Sequence, residues 1–63
     1  MIDYAKKVKE YRERTFMTQK ELAAKLGVGL ASVIRWEQGQ FKPTIKVQKK
    51  LVALFKEEGM EIY

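Results

Sequence analysis

At 63 residues the chain is long enough for one small domain and too short to bury a large core, so pairing with a second copy would add stability. It has no cysteine, no histidine and no glycine-rich phosphate loop, which removes disulfides, zinc and iron–sulfur sites and the Ser-His-Asp and Cys-His nucleophiles, so neither an enzyme nor a cofactor is expected. The net charge of +5 is uneven: all 13 Lys and Arg residues lie at or before Lys56 with five acids, a net +8, while Glu57, Glu58 and Glu61 make the tail acidic.

Asp3 is placed to cap a first helix from about Tyr4 to Arg14, with Tyr4, Val8 and Tyr11 on its inward face and Lys6, Lys7 and Lys9 elsewhere, read as a solvated face with direct phosphate contact as the alternative. Thr15, Phe16 and Met17 form a short connection, Met17 tucked into the core. Thr18 and Glu21 have the spacing of a capping box, so a second helix begins at Gln19. Leu22, Ala23 and Leu26 share one face of it, and Gly27 supplies the left-handed residue that ends it. Val28 begins a turn, and a third helix runs from about Leu30 to Glu37 with Val33 and Trp36 inward; Ala23 is small enough to let it pass close by.

Gln38 to Lys42 reads as a loop, after which Pro43 or Thr44 opens a last helix that ends near Gly59. Its apolar residues make two stripes, one of Ile45, Val52 and Phe55 with Gln48 at an apolar position, the other of Val47, Leu51 and Leu54. One stripe suffices for this domain's core. Val47, Leu51 and Leu54, with Met60, Ile62 and Tyr63, are therefore candidates for packing against a second copy, which makes 44–63 a candidate dimerisation surface; the competing reading wraps the same residues around the monomer. No repeat, low-complexity segment or linker divides the chain, so 1–63 is read as one domain.

No apolar run approaches the roughly 20 residues that span a bilayer, and MIDYAKKVKE lacks the apolar region of a signal peptide, so a cytoplasmic protein without a membrane partner is expected. The basic body attracts phosphate backbones, anionic membranes and acidic proteins alike, and charge alone does not choose among them.

From Thr18 to Gly39, TQKELAAKLGVGLASVIRWEQG, two short helical patterns meet at a glycine. In Gln19, Leu22, Ala23, Gly27, Val28, Trp36, Glu37 and Gly39 the chain resembles the Cro and lambda-repressor helix-turn-helix family, often called the XRE type, over roughly Val8 to Phe55. The resemblance implies an all-α, lambda-repressor-like bundle of four to five short helices. It also implies a sequence-specific regulator of transcription that binds double-stranded DNA, a repressor working as a homodimer on a palindromic operator, held at the nucleoid by that binding. Two alternatives keep the fold: an antitoxin-like protein whose last helix docks a different protein, and a protein-interaction module that has lost DNA binding.

The third helix is then the recognition helix, with Leu30, Ala31, Ser32, Ile34 and Arg35 as base-contact candidates. Relatives commonly carry polar residues where this chain has Gly29, Leu30, Ala31 and Ile34; Leu30 or Ala31 would instead meet thymine methyls, while Leu30 and Ile34 also suit a core or protein contact. Arg35 suits the O6 and N7 of guanine, with phosphate as its rival target. Phosphate candidates are Thr18 and Gln19 at the open N-terminus of the second helix, Gln38, Gly39 and Lys42 in the loop, and Lys20 and Lys46 nearby. By the same resemblance Gln19 would touch the DNA backbone directly, and Arg12 and Glu37 would form a structural ion pair. Trp36 is read as core rather than as a stacking platform.

Overall fold

Four α-helices account for most of residues 2–62, the part of the chain described by the computed structural model: α1 (Tyr4–Thr15), α2 (Gln19–Leu26), α3 (Leu30–Glu37) and α4 (Ile45–Glu57). No strand occurs among the described residues, and the bundle has four helices where four to five were expected. The starts follow local chemistry. Asp3 Oδ1 accepts from the Lys6 N–H at 3.3 Å to cap α1, and Thr18 caps α2. Of the two expected openings of α4, Pro43 and Thr44, it is Thr44 that takes the cap position before Ile45, while Pro43 itself is buried.

All four helices end in one hydrogen-bond pattern, a left-handed residue followed by an amide that reaches back to the last turn. Val28 N–H donates to the Ala23 carbonyl at 3.0 Å, Gln40 to Arg35 at 3.0 Å, Met60 to Phe55 at 2.9 Å and Met17 to Arg12 at 3.0 Å. Gly27, Gly39 and Gly59 hold the left-handed position in three of them; Phe16, at φ 57°, holds it after α1. These stops carry α1 one residue beyond Arg14 and end α4 at Glu57.

The core comprises Val8 and Tyr11 from α1, Leu22, Ala23 and Leu26 from α2, Val33 and Trp36 from α3, Leu51 and Phe55 from α4, and Met60 beyond it. Complete burial of side chains such as Leu22, Val33 and Leu51 contributes about 1.5 to 3 kcal/mol each. The helix α3 packs against both α1 and α2, and α1 also meets α4 through Tyr11 and Phe55, whose rings lie 6.0 Å apart, tilted by 55°. Met17 and Tyr4 are half-buried against this core.

The two-stripe reading of α4 is corrected here. The buried residues are Leu51 and Phe55, one from each stripe; Val47 and Leu54 lean on the core and Ile45 is 72% exposed. Gln48 stands among apolar neighbours because its Nε2 donates to the Pro43 carbonyl at 2.8 Å, closing the loop onto the helix. Two further ties hold the helix ends: Arg14 Nη1 donates to the Glu58 carbonyl at 3.1 Å, and Lys50 Nζ to the Leu26 carbonyl at 3.4 Å.

Candidate nucleic-acid interface

The N-terminus of α2 carries a reciprocal capping box. Glu21 N–H donates to Thr18 Oγ1 at 3.1 Å, and Thr18 N–H donates to Glu21 Oε1 at 2.8 Å. These bonds, the backbone one first, hold the Glu21 carboxyl below its ordinary value, so it is ionised at neutral pH. The expectation of a free amide at Thr18 is therefore corrected: that N–H is paired, and its partner puts a negative charge where an anion was to dock. Gln19 and Lys20 keep the first-turn amides that no intrahelical carbonyl can reach.

Behind this turn, Arg12 and Glu37 meet as a two-pronged pair. Arg12 Nε donates to Glu37 Oε2 at 2.5 Å and Nη2 to Oε1 at 2.7 Å, while Nη1 reaches the Met17 carbonyl at 3.2 Å. The side chains are 18% and 8% exposed. The hydrogen bonds to Glu37 push the Arg12 guanidinium above its ordinary value against the opposing effect of burial. Gln19 joins the pair, its Nε2 donating to Glu37 Oε1 at 3.4 Å. Its side chain is thus turned toward the network and half-buried, with one Nε2 hydrogen left over for an outside acceptor. One carboxylate on α3 in this way gathers α1 and α2.

With Val33 and Trp36 buried beneath, the opposite arc of α3 presents Leu30, Ala31 and Arg35 exposed and Ile34 half-buried; Ser32 is half-buried at its edge. Gln38, Gly39 and Lys42 are exposed in the loop, as are Lys20 on α2 and Lys46 on α4. Between α3, the loop and the start of α4 runs a groove of about 320 Å³. Apolar residues (Val28, Trp36, Phe41, Val47) and polar ones (Ser32, Arg35, Lys42, Thr44) line it. Phe41, with Trp36 and Lys42, also lines a second cleft of about 350 Å³ that reaches Asp3 and Tyr4. The Arg35 guanidinium carbon lies 5.7 Å from the centre of the Phe41 ring.

The residues expected at a dimer surface divide. Leu51 and Met60 are 0% and 5% exposed in this chain's own core, so they are withdrawn as dimer contacts: a partner would reach them only by opening the fold. Val47 belongs to the groove beside α3, whereas Leu54 and Ile62 are half-buried against the core, and Tyr63 lies outside the described residues. Sequence reasoning passed over Phe41 and Thr44. Thr44 caps α4 by position yet makes no side-chain hydrogen bond to it, and it lines the groove; an aromatic in the otherwise polar stretch QGQFK was the signal for Phe41.

The helix-turn-helix family pattern matches residues 8–61. An uncharacterized HTH-type transcriptional regulator of Methanocaldococcus jannaschii is 39% identical over 59 residues, covering 90% of this chain and 89% of that protein. Another, from Archaeoglobus fulgidus, is 32% identical over 57 residues, covering 90% of this chain and 80% of that protein. A 40-residue stretch is 52% identical to part of the type II methyltransferase M.SsoII of Shigella sonnei, but that stretch is 59% of this chain and only 11% of the methyltransferase. No solved structure matches the chain. The chain belongs to the helix-turn-helix family of the XRE type.

Proposed function

We propose that this protein is a sequence-specific regulator of transcription that binds double-stranded DNA through α3, acting as a repressor by occupying a palindromic operator as a homodimer. The carrying observation is the face of α3 that holds Leu30, Ala31 and Arg35 clear of the core while Arg12, Gln19 and Glu37 brace the helix from behind. Arg35 reads a guanine edge, Leu30 and Ala31 meet thymine methyls, and Ser32 and Ile34 border the contact. Gln19 and Lys20 on one side, with Gln38, Gly39, Lys42 and Lys46 on the other, grip phosphates and set the register. In this reading residues 1–63 act as one DNA-binding unit in the cytoplasm, and neither cofactor nor catalysis is involved. No helix among the described residues is long and apolar enough to cross a membrane.

The test is selection of bound sequences from a random duplex library, followed by titration of the best site at several salt concentrations. An enriched palindrome, with half-sites about 34 to 36 Å apart and a log–log salt slope near 0.9 per neutralised phosphate, is the expected result. Absence of enrichment and of salt-dependent binding would overturn the reading in favour of a protein partner.

A further inference from the structure

Arg35 carries the sharpest base-reading assignment, yet it lies on the exposed side of α3, where an arginine ordinarily samples many rotamers. Among the described residues no carboxylate pairs with it. What it does have is Phe41, presented by the loop after α3, with the guanidinium carbon 5.7 Å from the ring centre. A ring is suited to this task in a way that a carboxylate is not. It attracts the positive face of the guanidinium and leaves the N–H donors at its edge unpaired and aimed outward, whereas a carboxylate would take up those same donors.

Phe41 is also placed to stay where it is. It is 60% exposed, so its loop position is not a demand of core packing, and together with Trp36 and Lys42 it lines both clefts. The loop that bears it is held at both ends, by the Gln40 amide on the Arg35 carbonyl and by Gln48 on the Pro43 carbonyl.

We propose that Phe41 is a specificity-determining positioning residue: it holds the Arg35 guanidinium in the orientation that reads a base and so sets discrimination at one operator position without itself touching that base. The proposal rests on the reading of α3 as the recognition helix, and the experiment separates the two. Duplexes selected by the wild-type protein are titrated alongside variants of that site changed at single positions, with wild type, Arg35→Ala, Phe41→Ala, Phe41→Tyr, Lys42→Ala and the Arg35→Ala/Phe41→Ala double variant. Phe41→Ala is expected to lower discrimination by about 2- to 5-fold, the range of an exposed cation–π contact, at the position where Arg35→Ala abolishes it and nowhere else. Phe41→Tyr restores discrimination, because the ring is kept. Lys42→Ala weakens all duplexes alike, and in the Arg35→Ala background the loss of Phe41 has no further effect. Nitrogen relaxation at the Arg35 Nε of the free protein gives an independent readout, with greater mobility expected in Phe41→Ala.

Three outcomes would overturn the proposal alone, given that Arg35→Ala does lose discrimination: Phe41→Ala weakening every duplex equally, Phe41→Ala adding its full effect to Arg35→Ala, or Arg35 mobility unchanged by the loss of the ring. If the wild-type protein binds no duplex, or Arg35→Ala discriminates as well as wild type, the assignment of Arg35 falls and the role of Phe41 falls with it.

Discussion

Phe16 occupies a left-handed conformation that costs a non-glycine residue about 1 to 2 kcal/mol, and with 93% of its surface exposed it recovers little by packing. The other three helix ends place glycine at the equivalent position. Phe16→Gly is therefore expected to stabilise the fold by about 0.5 to 1 kcal/mol, the relief of strain being partly offset by the greater freedom of glycine in the unfolded chain. A urea midpoint that falls in the variant would show that the ring makes a contribution its exposure does not reveal. Glu21 supplies a second prediction. Its folded pKa is depressed, so its contribution is present above the ordinary glutamate value of about 4.3 and is lost as pH falls through the lowered folded value. The stability advantage of wild type over Glu21→Gln should hold at neutral pH and close on the acid side of that range; an advantage that persists at the acid limit would mean that the cap does not depend on the charge.

At the scale of elements, the Arg12–Glu37 pair joins α3 to α1 beside their shared core. Glu37 is the more deeply buried partner, and Arg12 in addition satisfies the Met17 carbonyl. Arg12→Ala strands the less hydrated charge, so it should cost more than Glu37→Ala, within an overall range of about 2 to 4 kcal/mol, somewhat reduced from full burial because neither side chain is entirely enclosed. A chain of this size commonly has only about 3 to 9 kcal/mol of stability, so either loss is large. Chemical denaturation of both variants tests the order; equal and small effects would make the pair a surface feature. The Arg12–Glu37 contact was implied by resemblance, but Gln19 as its third member was not. Nothing in the spacing of Gln19 says whether its amide faces DNA or the carboxylate of a helix 18 positions on.

For the whole molecule the question is what α4 leaves uncovered. Leu51→Ala should cost about 2 to 5 kcal/mol as a core truncation, whereas Leu54→Ala, half-buried, should cost roughly 1 kcal/mol and shift the proposed monomer–dimer balance. Sedimentation equilibrium at tens of micromolar, with and without operator duplex, reads that balance, and a melting temperature that rises with protein concentration would accompany a dimer. A wild-type protein that remains monomeric throughout, with Leu54→Ala indistinguishable from it, would remove Leu54 and Ile62 as a dimer surface.

The sequence by itself determined to within about two residues where the helices begin and end, and which family the chain joins, because caps, glycine stops and the 3.6-residue period act over a few residues and are written locally. Asp3, the Thr18–Glu21 box and Gly27 are of this kind. The tertiary structure alone decided which face of α4 is core: Ile45, Val47, Leu51, Val52, Leu54 and Phe55 cover too wide an arc for the pattern to choose, and the choice falls to the core surface it meets, with Tyr11 of α1 against Phe55. It decided too that the Thr18 amide is already paired, that Gln19 turns inward and that Phe41 lies under Arg35. Each of these depends on competition between partners brought together in space, and side-chain contacts of that sort leave no period or spacing in the chain.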